Sequence, residues 1–486
     1  MILLTKYDIF FTAMKNIVEL LKKQVDLNPL DIAIVDEFRS ITYKDLYLDV
    51  LAKASYLKSL GINKSPIIIK VDRKLDTLLY FYAVLLSNNF YIPVDENIPE
   101  EKLNKIIISS GAKYYISSKE DLAITKIDFK EVKEVVSFEE FAKEFDPNNN
   151  SYIMYTSGST GEPKGVIKNH ENIISFVNNF LETFPFLGKE RIANQTPFFF
   201  DASAKDIYLS LAVGATLYIP DKVRFSLPAE TIKYLNENKI TFLCWVPSIL
   251  TMIAKTRTLN YLKPEYLKYV FFVGEVFQPK YLNMWIDALP GVRYFNIYGS
   301  TEVMGVSLYY EIKKHFEGET IPTGKPVNNN YVYLDDGEII ISSKQVAKGY
   351  VNNPTSKSFR FDKDGNLELA TGDYATYDKD GNIVFASRKD YQIKHLGYRI
   401  ELQEIESSLI NLDYIDQCAA VYDENSDRII LFVTLNKEVD NPNKTIIADA
   451  KEKVQFYMVP NKVIVLDEMP LNNNGKIDRV GLKSRI

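Results

Sequence analysis

The eleven residues from Tyr155 to Gly165 read Tyr-Thr-Ser-Gly-Ser-Thr-Gly-Glu-Pro-Lys-Gly. The hydroxyls of Thr156, Ser157, Ser159 and Thr160 and the ammonium of Lys164 are interspersed with Gly158, Gly161 and Gly165. Glycine lets a main chain approach a ligand closely and take up angles that other residues resist. Backbone N–H groups, hydroxyls and a cation in one short stretch make a cradle for an anion, and a polyphosphate suits it. A Walker loop is excluded, because Lys164 follows Pro163 and is itself followed by Gly165. The plain alternative is a flexible surface turn, which Gly/Ser/Thr clusters commonly form. The apolar run Ser151-Tyr-Ile-Met154 precedes the stretch; Val166 and Ile167 follow, then a basic and polar patch. A loop between two strands is therefore expected.

The stretch resembles the signature of the adenylate-forming superfamily, which includes acyl-CoA synthetases, luciferases and the adenylation domains of nonribosomal peptide synthetases. Further matches stand in that family's order from about Ile17 to Arg479. Asn296-Ile-Tyr-Gly-Ser-Thr-Glu302 follows an apolar run, with Ser300 where the family usually has proline. The resemblance implies that Tyr298 stacks on adenine, flanked by Asn296 and Gly299. It also implies that Thr301 touches the α-phosphate of ATP and that Glu302 holds Mg²⁺. An aromatic face for a base and a hard oxygen ligand for magnesium fit those roles. An ordinary β-turn with exposed polar residues is the alternative. Gly274-Glu275 resembles the segment flanking the adenine. In Thr371-Gly372-Asp373 the aspartate would accept both ribose hydroxyls, a task that suits a two-oxygen acceptor.

Ser387-Arg388-Lys389-Asp390 and the run to Gly397-Tyr398-Arg399 resemble the family's hinge and the segment after it, with Ser387 in place of a usual glycine. Arg388 would contact ribose, Asp390 would be the hinge, and the Gly397 loop would approach the thiol substrate. A solvated charged linker is the alternative. Pro470-Leu-Asn-Asn-Asn-Gly-Lys476 closes the series. By resemblance Lys476 reaches the reacting carboxylate and the α-phosphate, with Lys164, Thr301 and Glu302 completing the catalytic set.

The acid to be activated is read from Phe200-Asp201-Ala202-Ser203, which resembles the pocket segment of amino-acid-activating members. There the aspartate binds the substrate α-ammonium. A buried carboxylate is costly unless paired, which gives a physical reason for such a ligand. Asp is also a preferred helix N-cap, the alternative role. Lys205 stands four residues on, on the same helical face. Carried over by spacing, the pocket also takes in Ala202, Cys244, Phe271, Val273, Ile297, Gly305 and Val306. Lys205 could pair with a second substrate carboxylate, as the resemblance to some glutamate-activating domains implies. It could instead pair with Asp201 or point outward toward Asp206. Phe271-Phe-Val-Gly-Glu-Val and Gln392-Ile-Lys with Gly397-Tyr-Arg also resemble D-alanine–carrier protein ligases, so D-alanine is the rival substrate. The chain ends seven residues after Arg479. A freestanding enzyme is therefore expected, with a separate phosphopantetheine-bearing carrier protein or coenzyme A as thiol acceptor. An acyl-CoA synthetase and a non-catalytic nucleotide-binding module are the remaining alternatives.

The elements that must position these groups follow from pattern and length. With 486 residues the chain exceeds one hydrophobic core. Strands and helices alternate, which argues an α/β core with mainly parallel sheets, followed by a small α+β domain. The expected boundaries are 1–389 for the adenylation core and 390–486 for the mobile domain. Helices are expected at Ile17–Lys23 and Leu75–Leu86, strands at Ile32–Asp36, Ile67–Val71 and Phe90–Val94, and a polar linker at Phe145–Asn150. Met1–Ala13 reads as an extension, or as the product of a misassigned start codon, before a family-like start at Met14. The net charge of −6 disfavours a nucleic-acid partner. No run reaches the length of a membrane span. Two cysteines, Cys244 and Cys418, give neither a disulfide framework nor a metal motif and suit a cytoplasmic setting.

Overall fold

β-Branched and aromatic runs set the strands, and satisfied helix ends set the helices between them. The computed structural model describes residues 13–117, 122–156, 162–351, 356–388, 392–424, 426–470 and 477–486. The elements that carry the chemistry-bearing residues are strands β1 (Asn150–Thr156) and β2 (Lys164–Asn169), helices α1 (His170–Thr183) and α2 (Ala202–Val213), and strands β3 (Phe242–Trp245), β4 (Tyr269–Val273), β5 (Arg293–Tyr298), β6 (Gly349–Tyr350) and β7 (Leu367–Tyr377). The described residues pack as two units. The larger runs through residue 96, then 107–155 and 165–387; the smaller takes in 97–106, Thr156, 162–164 and the chain from 388.

Among the described residues, the larger unit contains sheets of seven, nine and five strands. The seven-stranded sheet runs β6, β2, β1, Phe90–Asp95, Pro66–Val71, Tyr114–Ile116 and Thr125–Lys126. Its centre is parallel, and β6 joins the edge antiparallel to β2. In the nine-stranded sheet β3, β4 and β5 run parallel side by side. Parallel sheets need cover on both faces, and Leu75–Leu86, apolar nearly all round, is buried along most of its length. Its first N–H donates to the Asp36 carboxylate at 2.9 Å. Thr42 caps Tyr43–Ser59 by accepting the Asp45 N–H at 3.1 Å. Asn169 and Asn172 exchange side-chain bonds of 2.8 and 3.0 Å as a capping box that starts α1 directly after β2. In the five-stranded sheet β7 pairs antiparallel with Glu338–Ser342.

The smaller unit has a hairpin, Gln392–His395 with Tyr398–Glu401, and a mixed three-stranded sheet of Ile415–Asp423, Arg428–Leu435 and Lys462–Val465. Its core gathers Ala419, Val421, Ile430, Phe432, Met469 and Leu482. Arg479 closes it with paired bonds of 2.5 and 2.7 Å to Glu406. Among the described residues, no helix is long and apolar enough to cross a membrane.

Several expectations shift. The first described helix spans Glu19–Leu27 rather than starting at Ile17, because Glu19 accepts the N–H groups of Lys15 and Asn16, each at 2.8 Å. The segment read as a linker ends at Asn149, since Asn150 already pairs in β1. The patch read as basic and polar after Ile167 is interior: Lys168, Asn169 and His170 are all buried. Burial pushes the His170 imidazole down to about 3, so it stays neutral.

Candidate active site

The residues expected to line an acyl pocket come together through strand register. Cys244 lies opposite Phe271, Phe271 opposite Phe295, and Val273 opposite Ile297. Directly opposed residues share a face, as do positions two apart, so Cys244, Phe271, Val273 and Ile297 line one side of the sheet. The other side sends Leu243, Trp245, Val270 and Phe272 into a separate core. Phe271 is fully buried and surrounded by the rings of Phe180, Phe184, Phe242 and Phe295, with centroids 4.5 to 5.6 Å away. Phe176 and Phe180 on α1 and Phe184 at its C-cap repeat every four residues and form one apolar stripe. Phe176 lies on the backbone of Gly305, where a Cβ would come within 2.1 Å of its ring. With φ at +75°, position 305 takes glycine for conformational reasons too. Val306 is buried beside it.

Asp201 immediately precedes α2, yet its side chain makes no cap bond. Instead the Tyr152 hydroxyl donates to its Oδ1 at 2.7 Å. The carboxyl is buried, and burial raises its pKa against the opposing pull of Lys168, the Tyr152 bond and Lys205; Glu302 adds to the rise. Lys205 is 3% exposed, so it does not turn to solvent. Its Nζ donates to the Ala202 carbonyl at 2.9 Å. Burial pushes the Cys244 thiol up to about 12, which leaves it an apolar wall rather than a nucleophile.

The turn after β5 is equally constrained. A Cβ on Gly299 would meet the Gly305 carbonyl oxygen at 2.3 Å, which packs this turn against the backbone at Gly305. Tyr298 is buried, and its hydroxyl donates to Asp373 Oδ2 at 2.5 Å. Two residues expected at adenine and ribose are thus joined. Asp373 is held in β7, where its N–H donates to Thr371 Oγ1 at 3.1 Å. Asn296 donates to the Pro322 carbonyl at 2.8 Å, and Thr301 is half-buried. Glu302 is buried rather than exposed as in a simple turn; Tyr350 donates to its Oε1 at 2.9 Å. Gly274 has φ +97°, and Glu275 accepts the Ser248 N–H at 2.8 Å, satisfying the start of the Pro247–Lys255 helix.

Among the described residues, no group of three His, Cys, Asp or Glu side chains could enclose a metal. Magnesium is commonly held by one or two carboxylates together with substrate phosphates, and the Glu302 carboxylate fits that role. Ser157, Gly158, Ser159, Thr160, Gly161, Asp390 and Lys476 lie outside the described residues. In the smaller unit, Thr156 and Lys164 end β1 and begin β2, and the Thr156 hydroxyl lies 3.5 Å from the Lys164 carbonyl. Arg388 ends the strand Ile383–Arg388. Leu396 and Gly397 form the hairpin turn with φ +53° and +83°, a conformation that favours glycine at the second position.

Sequence reasoning missed Tyr152, Lys168 and Tyr350. Lys168 is fully buried in β2, and among the described residues its Nζ has no hydrogen-bond partner. Burial pushes it down to about 8, against the pull of Asp201 and Glu302. The available signal was strand alternation: Lys168 lies two residues after buried Val166 and shares its face.

The family model described as AMP-binding enzyme matches residues 21–351, and that of the AMP-binding enzyme C-terminal domain matches residues 404–476. Bacitracin synthase 2 of Bacillus licheniformis is 30% identical over 96% of this chain, and the match covers 18% of that protein. The chain thus spans about a fifth of the length of that relative. A D-alanine–D-alanyl carrier protein ligase of Staphylococcus aureus (strain JH9) is 31% identical over 96% of this chain and 98% of its own length. Among solved structures, the Vibrio cholerae adenylation domain AlmE, in complex with glycyl-adenosine-5′-phosphate, shares the fold. Its TM-score is 0.81 at 20% identity, over 97% of this chain and 98% of that one.

Proposed function

The chain belongs to the AMP-binding enzyme family, and from that premise we propose that it activates an amino acid as its adenylate and passes the acyl group to the phosphopantetheine thiol of a carrier protein. The observation that carries the amino-acid reading is Asp201. It is a buried carboxylate at a helix start that forgoes the cap bond open to it, and a substrate ammonium is the partner such a group calls for. The preferred substrate is an acidic amino acid such as glutamate, with buried Lys205 as its side-chain reader. A second reading, D-alanine, is favoured by the rings crowding Phe271 and by the contact of Phe176 with Gly305, which suit a small side chain.

In the first half-reaction the substrate carboxylate attacks the α-phosphorus of ATP, and pyrophosphate leaves. The protein's task is positioning and charge stabilisation. Asp201 orients the ammonium, Tyr298 and Asp373 hold the nucleoside, and Thr301 faces the α-phosphate. Ser157 to Gly161, with Thr156 and Lys164, bind the leaving pyrophosphate. Lys476 takes up charge spread over the transferring group. Magnesium, when bound at Glu302, supplies further charge neutralisation on the phosphates. In the second half-reaction the thiol attacks the acyl carbon, a thioester forms and AMP leaves. By the same resemblance, rotation at Asp390 would exchange Lys476 for the Gly397 loop. Setting is part of the proposal too: a reducing cytoplasm suits the two free cysteines.

The test is substrate-dependent ATP–pyrophosphate exchange across both enantiomers of the common amino acids, with fatty and aryl acids alongside. A peak for glutamate that Lys205→Ala abolishes supports the first reading. A D-alanine peak indifferent to Lys205→Ala supports the second. Exchange only with acids lacking an α-amine refutes the role of Asp201.

A further inference from the structure

β6, β2 and β1 lie side by side in the seven-stranded sheet. Tyr350 on β6 is directly opposite Val166 on β2, so the two share a face, and Lys168, two residues on, shares it as well. The opposite face is marked by Gly165, where a Cβ would meet Ile153, Tyr155 and Val351. Alternation along β1 then puts Tyr152 on the Lys168 face. Tyr350, Lys168 and Tyr152 therefore stand in a row across three neighbouring strands. The outer two reach carboxylates: Tyr350 donates to Glu302 at 2.9 Å and Tyr152 to Asp201 at 2.7 Å. Lys168, between them, is fully buried, and its Nζ has no hydrogen-bond partner among the described residues.

Asp201 and Glu302 act on this ammonium electrostatically but accept no hydrogen bond from it, and a buried charge is costly unless it is hydrogen-bonded as well as paired, so the group calls for an acceptor. In an α-amino acid the ammonium and the carboxylate are two bonds apart. With the ammonium on Asp201 and the reacting phosphate on the Glu302 side, the substrate carboxylate must lie between those two residues, where Lys168 stands. We infer that Lys168 is a further substrate-binding residue: its ammonium takes an oxygen of the reacting carboxylate, so that Asp201 and Lys168 read the two ends of the zwitterion. This rests on the reading that Asp201 takes the α-ammonium.

The experiment compares the wild type with Lys168→Met, which keeps the length and removes the charge. The probes are L-glutamate with its decarboxylated analogue 4-aminobutyrate, and D-alanine with ethylamine. Each is titrated by thermal shift without nucleotide or metal, and each amine is also tested as an inhibitor of exchange. Removing Lys168 changes the hold of Asp201 on any ammonium in both directions, by favouring the protonated carboxyl and by relieving like-charge repulsion, so the informative quantity is the amino acid's loss relative to its amine. A charge-assisted hydrogen bond predicts an excess loss of about 10- to 100-fold for the amino acid. Equal losses for amino acid and amine, or no loss, would make Lys168 an internal counter-ion and overturn the inference. Should the methionine variant not fold, Lys168→Gln is read by the same ratio. A wild type that exchanges with no amino acid at all defeats the functional reading itself, which is a different result from a functional wild type with an indifferent Lys168→Met.

Discussion

Asp206 follows Lys205 on α2 and is 1% exposed. The Asn194 amide donates to its Oδ2 at 2.9 Å, while Oδ1 has no hydrogen-bond partner among the described residues. Burial drives this carboxyl from 3.8 up to about 7, against the pull of Lys205, Asn194 and Arg73. A raised folded value means that the folded protein binds the proton more tightly than the unfolded chain does. The group's contribution to stability is therefore fully present below 3.8 and is lost as pH rises through about 7. The whole interval corresponds to about 4 kcal/mol. About 2–3 kcal/mol of it falls between about pH 5 and pH 8. Asp206→Asn keeps an acceptor for Asn194 and cannot ionise. Its stability relative to wild type should rise by that amount over the same range, read from denaturant melts at the two ends. The substitution also removes a neighbouring anion from Lys205, so glutamate-dependent exchange should not fall near pH 7. A difference between variant and wild type that stays flat within about 0.5 kcal/mol, the size of an ordinary surface substitution, would show that Asp206 does not titrate in this window.

Three further outcomes are expected. Asp201→Asn should raise the KM for the amino acid by about 100-fold or more, because truncating one partner of a buried charge pair costs about 3–5 kcal/mol; exchange kinetics with ATP saturating check this, and the fold should survive because the Tyr152 bond can be kept. Gly305→Ala forces a methyl to 2.1 Å from Phe176 at a positive φ and should lower stability by about 2–4 kcal/mol, with partial rescue by Phe176→Leu in the same melt. Tyr298→Phe deletes the 2.5 Å bond to Asp373 and should raise the KM for ATP about 10-fold with little change in the KM for the amino acid, measured by varying each substrate in exchange.

What the sequence made legible, and what it hid, divides along a physical line. Local rules read well where local forces decide. Leu75–Leu86, apolar on nearly every face, is the helix its pattern predicts. Cys244, Phe271, Val273 and Ile297, the positions carried over by spacing, share a face because parallel register aligns them two by two. Lys168 shows the opposite case. By composition it belongs to a polar patch, and a lysine is ordinarily solvated. Its burial is decided by β6, which arrives about 180 residues later in the chain to cover the edge of β2. Asp201 is similar: a helix N-cap is the local expectation, yet Tyr152, distant in sequence, takes its oxygen. Both departures leave a buried charged group whose local partner is missing, and the sheet face of Lys168 also carries Tyr152 and Tyr350, which bond Asp201 and Glu302. Local rules fail most where long-range contacts hold polar groups ready for something outside the fold, and that is the physical reason for seeking the substrate between Asp201, Lys168 and Glu302.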